Sequence, residues 1–196
     1  GRPATQMPPF GEKLSSEQIS ALVDHIYQPL PEVPVWMEAE ISASHKLFTP
    51  LDQLPAKPQH GADPLNLFFV VEAGDHHATI LDGDKLEPIT RFKTRFALHG
   101  GAKYSPDGRF VYYATRDGWV TLFDLHSMQM VAEIRAGINT RNIAISSDGK
   151  LVAVGNYLPH NLVLLNANDL SLNSIIPVQS LGESSRVSAV YDAAPR

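Results

Sequence analysis

Four residues of this 196-residue chain have types and spacing that could act together: His99, Arg116, Arg141 and Arg186. His99, Arg141 and Arg186 each stand three residues before an alanine, Ala102, Ala144 and Ala189. In a chain of repeated four-stranded units these would be equivalent positions at the start of successive innermost strands, and such positions converge on a central axis. An imidazole can ligate a metal, and guanidiniums grip carboxylates through paired N–H donors. The set therefore suits a ligand that offers a metal and several carboxylates. The plainer roles are a hydrogen-bonding histidine and arginines paired with neighbouring acids. Asp75, Asp117 and Glu72 form no evident catalytic carboxylate pair, so no catalytic residue is assigned. His76-His77, adjacent in a turn, reads as solvated.

The elements that must position these residues are short antiparallel strands. Ser105-Pro106-Asp107-Gly108 carries the fixed φ and the positive φ of a tight turn, and Arg116-Asp117-Gly118 is a second turn signal. Between and after them FVYYAT, WVTLFDL and MVAEI are rich in β-branched and aromatic residues. The stretch from Arg95 to Gly137 thus reads as four strands, the size of one propeller blade. The pattern recurs. Asp82, Asp124 and Asn166 close third strands at intervals of 42 residues, Phe92, Ile134 and Ile176 end fourth strands at the same interval, and Ser146-Ser147-Asp148-Gly149 repeats the first turn 41 residues on. A helical solenoid is excluded by the β-type composition. Following strand direction through the blade puts His99, Arg116, Arg135 and Arg141 at one end, with the His76-His77 turn and the loop from Tyr157 to His160.

The fold expected is all-β: a partial β-propeller of four-stranded antiparallel blades over 65–196, its first unit starting near Leu67 with a second strand. The segment RVSAVYDAAPR aligns with the first strand and turn of a further blade. Four to eight blades close a propeller, so the chain is expected to be a fragment of a longer protein, open at both ends. Before the blades, Ser15 and Gln18 stand in capping-box register, and Ile19, Leu22, Val23, Ile26 and Tyr27 form the stripe of an amphipathic helix over 15–28. Pro29 and Pro31 stop it. The Pro-rich segment 31–64 reads as an extended linker with one short helix around Met37 to His45. A net charge of -5 argues against a nucleic-acid surface, and no apolar run is long enough for a membrane span. With no cysteine, disulfides, Cys-ligated zinc and covalent haem attachment by these residues are excluded.

The loop Met7-Pro8-Pro9-Phe10-Gly11 followed by a capped amphipathic helix resembles the C-terminal end of a class I cytochrome c domain, here residues 1–30. The resemblance implies Met7 as the sulfur ligand of a haem c iron, with the attachment motif outside these residues. Taken with H-G-G-x-K-x-S-P-D-G-R-F, R-D-G-W-V and G-I-x-T-R-N-I-A, the whole chain resembles the haem d1 family: cytochrome cd1 nitrite reductases and their relatives in d1 biosynthesis. That resemblance implies an eight-bladed propeller, His99 as axial ligand of the d1 iron, and Arg116 and Arg141 around the macrocycle's carboxylates, a set that Arg186 joins by its equivalent position. Within the family, His99-Gly100-Gly101 and Arg116-Asp117-Gly118-Trp119 look like the biosynthetic branch, the dihydro-haem d1 dehydrogenases. Likeness to that branch implies a periplasmic oxidoreductase that oxidises a propionate of dihydro-haem d1 to an acrylate and passes electrons to a c-type haem, the 196 residues alone being inactive. Implied partners are the d1 macrocycle, small periplasmic electron-transfer proteins and nitrite reductase. The alternatives are a nitrite reductase proper and a propeller binding module without catalysis.

Overall fold

In the computed structural model, residues 9–29, 34–98 and 100–192 are described. They fall into two units, Gly1–Pro34 and Val35–Arg196. In the first, helix α1 spans Ser16–Ile26. Ser15 Oγ accepts from the Gln18 N–H at 3.3 Å while the Gln18 side chain accepts from the Ser15 N–H at 2.9 Å, the capping box that the spacing predicts. The apolar stripe from Ile19 to Tyr27 lies exposed.

The second unit opens on the Pro-rich segment, which docks as a strap on the sheets beyond it. It carries the expected short helix, α2 (Glu38–Ser44), then a two-residue strand β1 (Lys46–Leu47). Three sheets come next. The first is β2 (Leu67–Glu72), β3 (His77–Asp82) and β4 (Glu87–Lys93). The second contains β5 (Lys103–Tyr104), β6 (Phe110–Ala114), β7 (Trp119–Asp124) and β8 (Gln129–Arg135), with β1 added outside β8. The third is β9 (Asn139–Ile145), β10 (Leu151–Leu158), β11 (Asn161–Asn166) and β12 (Leu172–Pro177). All pairings are antiparallel between sequence neighbours, apart from β1 with β8. These are consecutive blades of a partial β-propeller.

The 42-residue columns hold. Third strands end at Asp82, Asp124 and Asn166, and fourth strands run one residue past Phe92, Ile134 and Ile176. The structure adds a further column at the same interval: Leu86, Met128 and Leu170 all have positive φ, 58°, 57° and 61°. Each sits in the turn that the Asp or Asn opens. Two departures from expectation stand out. After β12 a small hairpin intervenes, β13 (Gln179–Ser180) with β14 (Glu183–Ser184), and residues 185–192 form no strand.

Strand alternation explains why FVYYA is apolar throughout. Val111 and Tyr113 pack with Ile80, Phe123 and Leu125 toward the first sheet, whereas Tyr112 and Ala114 pack with Leu122, Ile134, Val152 and Leu165 toward the third. A strand buried on both faces loses its polar alternation. The strap enters the second of these cores through Ile41, which is fully buried.

Candidate functional site

The end of the blades that carries the candidate residues is laced by main-chain hydrogen bonds running from one blade to the next. Gly118, with φ 97°, closes the Arg116-Asp117-Gly118 turn, and an added Cβ would stand 1.9 Å from the Gly137 carbonyl oxygen. Only glycine fits that approach. The Arg116 N–H donates to the Ala97 carbonyl at 3.0 Å, and its own carbonyl accepts from the Thr140 N–H at 3.0 Å. Leu98 also bridges Thr115. The first-strand starts preceding residue 99 and preceding Arg141 are thus both tied to Arg116. On the third sheet the Val187 N–H, next to Arg186, donates to the Asn156 carbonyl at 3.0 Å.

Asn156, fully buried, fixes the next layer. Its side chain accepts from Thr140 Oγ1 at 2.6 Å and donates to the Ala136 carbonyl and to Asn161 Oδ1, each at 2.9 Å. A buried amide that is bonded at every turn specifies one arrangement of the strands around it.

Two of the predicted arginines meet on a side chain that the sequence reading did not single out. Tyr157, half-buried near the end of β10, has the Arg186 guanidinium carbon 4.9 Å and that of Arg141 5.8 Å from its ring centroid. A hydrogen bond with Ser188 lowers its phenol below the ordinary tyrosine value, partial burial opposes this, and the charges of Arg141, Arg186 and Arg116 add to the lowering. Tyr112 shows the opposite case, its phenol pushed up to about 12 chiefly by burial. The signal that could have found Tyr157 was its place at the head of a loop assigned to the same end as the arginines. Two guanidiniums over one phenol form a cationic, partly aromatic surface that can receive carboxylates and lie against a flat conjugated ring.

Arg135, placed at this end by strand direction, is turned to a different use. Its guanidinium lies 4.5 Å from the centroid of the Trp36 ring, and its Nε donates to the Asp117 carbonyl at 2.8 Å. In the His76-His77 turn, His76 Nδ1 accepts from the Ala97 N–H at 3.3 Å, so this ring braces the chain before residue 99. His77 pairs with Asp75. His99 and Met7 lie outside the described residues. Among the described residues no group of three acidic, histidine or cysteine side chains is placed to hold a metal ion, and no helix is long and apolar enough to cross a membrane.

Comparison with known proteins gives a consistent result. A dihydro-heme d1 dehydrogenase from Pseudomonas aeruginosa is 60% identical over 197 residues, covering 100% of this chain and 40% of that protein. A nitrite reductase from Stutzerimonas stutzeri is 25% identical over 194 residues, covering 95% of this chain and 34% of that protein. Among solved structures, dihydro-heme d1 dehydrogenase NirN in complex with DHE matches with a TM-score of 0.86 at 60% identity, over 98% of this chain and 42% of that one. The chain thus spans about two fifths of the length of the protein most like it among these three. The cytochrome D1 heme domain profile matches residues 62–196, and with it the chain belongs to the cytochrome D1 heme domain family.

Proposed function

We propose that this chain is the d1-binding entry to an oxidoreductase that takes dihydro-haem d1 as substrate and oxidises a propionate side chain to an acrylate. One observation carries the reading: Arg141 and Arg186 gather over the Tyr157 ring, with Arg116 tied through its carbonyl to Thr140 beside Arg141, an arrangement that suits a macrocycle bearing several carboxylates. The greater identity to the dehydrogenase, 60% against 25%, supports dehydrogenation over nitrite reduction.

In this reaction a –CH2–CH2– unit becomes –CH=CH–, releasing two electrons and two protons. The arginines contribute by neutralising the carboxylates and fixing the macrocycle's orientation, so the reacting side chain is held in one place. His99 would ligate the substrate's iron. The base that takes a proton is not assigned among residues 1–196.

In the same proposal residues 1–30 are the C-terminal end of a cytochrome c domain, 31–64 join it to the blades, and 65–196 are the N-terminal blades of an eight-bladed propeller. The capped helix α1 with its exposed apolar stripe supports the first assignment. Met7 would be the residue holding a c-type haem, a group that supplies one-electron transfer when bound; no step is derived through it. Covalent haem c and a d1-type substrate would both suit a periplasmic protein, with small electron-transfer proteins and nitrite reductase as its partners.

The test is an assay of the full-length protein with dihydro-haem d1 and, separately, with nitrite. Spectral conversion of the macrocycle without nitrite turnover is expected. Rapid nitrite turnover with an unchanged macrocycle would select the nitrite reductase, and binding of neither would select a module without catalysis.

A further inference from the structure

Arg135 stands outside the arginine cluster, yet it joins that cluster to the strap. Its main chain is held by the strap on both sides: its N–H donates to Ser44 Oγ at 2.8 Å and its carbonyl accepts from Trp36 Nε1 at 2.9 Å. Its guanidinium lies across the Trp36 ring and donates to the carbonyl of Asp117, the residue after Arg116. Among the described residues Arg135 makes no ion pair with an acid. A half-buried cation used to hold one carbonyl of a turn acts on the shape of that turn.

We propose that Arg135 is a positioning residue for Arg116 in macrocycle binding, and that Trp36 of the strap holds Arg135 in that role. The inference rests on the reading of Arg116 as a carboxylate-binding residue. Its mechanism is local. The turn is fixed at Arg116 N to Ala97 and at Arg116 O to Thr140, and Thr115 Oγ1 donates to Asp117 Oδ1 at 2.7 Å. The Gly118 N–H donates to the Thr115 carbonyl at 3.0 Å, and the Asp117 carbonyl of the same peptide accepts from the Arg135 Nε–H. Without that donor the peptide between Asp117 and Gly118 is held only through its N–H, and the exposed Arg116 side chain departs from a looser turn. By linkage, any ligand that orders Arg116 must also tighten the strap. The segment from Trp36 to Ser44 then belongs to the binding site although it precedes Arg116 by more than seventy residues.

A double-mutant cycle on the full-length protein decides this, with dihydro-haem d1 affinity read by absorbance titration and stability by thermal melting. Arg135→Ala is expected to weaken binding about tenfold. Adding it to Arg116→Ala should cost no further affinity, while the two changes in melting temperature add. Arg135→Lys keeps the charge but lacks the planar fork, so it should bind as poorly as Arg135→Ala; should the alanine variant not fold, the lysine variant completes the cycle. Trp36→Leu should weaken binding in the same direction. A macrocycle with esterified carboxylates should bind wild type and the Arg135 variant equally, an equality that a general loss of structure would not give. Additive losses of affinity, or an Arg135 variant that binds as wild type while Arg116→Ala does not, would overturn the inference. An Arg116→Ala protein with undiminished affinity would instead overturn the reading of the site beneath it.

Discussion

At the scale of single residues the arginines and Tyr157 make distinct predictions. Arg141→Ala and Arg186→Ala in the full-length protein should each weaken dihydro-haem d1 binding about tenfold, the loss of one charge-assisted hydrogen bond. Tyr157 should appear in an ultraviolet pH titration as a phenol ionising below the ordinary tyrosine value, and Tyr157→Phe should remove that transition alone. Asp124 makes a third case. Its carboxylate is fully buried, and although burial raises its pKa, hydrogen bonds from Arg109 and Ser127 prevail and hold it below the ordinary range. A depressed folded value means that its contribution is complete above the unfolded value of about 3.9 and is lost as pH falls below it. Asp124→Ala should therefore cost roughly 3 kcal/mol at pH 7, because it leaves the largely covered Arg109 charge uncompensated. Urea unfolding at pH 7 and pH 3 should show a smaller difference for the variant than for wild type. Charge and column position made the arginines legible in the sequence. Tyr157 was legible only as the head of a loop at the arginine end, and its contact with two of those arginines joins residues from separate strands that no local pattern brings together.

At the scale of elements the repeat was read through side chains, and its turns are governed by backbone. Asp82, Asp124 and Asn166 could be aligned because their types agree. Leu86, Met128 and Leu170 escaped notice because a left-handed backbone leaves no mark in residues of those types. Leu86, 69% exposed, holds that conformation with little packing in return, so Leu86→Gly should raise stability by about 0.5–1 kcal/mol. Leu170, fully buried, should lose roughly 3 kcal/mol on the same change. Chemical denaturation of the two variants checks the opposite signs. Gly118→Ala faces both a positive φ and the Gly137 carbonyl, and should be among the most destabilising single changes in the second blade. The strap shows the other limit of sequence reading. Prolines announced an extended segment, and α2 was foreseen, but the hydrogen bond from Trp36 to Arg135 spans 99 positions and has no local signature.

At the scale of the whole molecule the blades stack through two cores that share β6, so the second sheet is the keystone for both neighbours. Among the described residues β2 pairs on one side only, with β3, and Phe68 and Val70 on it are exposed. Such an edge recruits other chains. The 196-residue chain by itself should associate with rising concentration in light scattering, and Val70→Lys should suppress this.

The chain has two tryptophans, and each lies beneath an arginine: Trp36 under Arg135 and Trp119 under Arg95, whose guanidinium is 4.2 Å from the ring centroid. Intrinsic fluorescence is therefore a two-channel gauge of this molecule. Trp119 watches the contact between the first and second blades, where Arg95 also grips Glu133 at 2.8 Å, and Trp36 watches the strap. With Trp36→Phe leaving one emitter and Trp119→Phe leaving the other, lifting of the strap can be timed apart from parting of the blades, without any added dye.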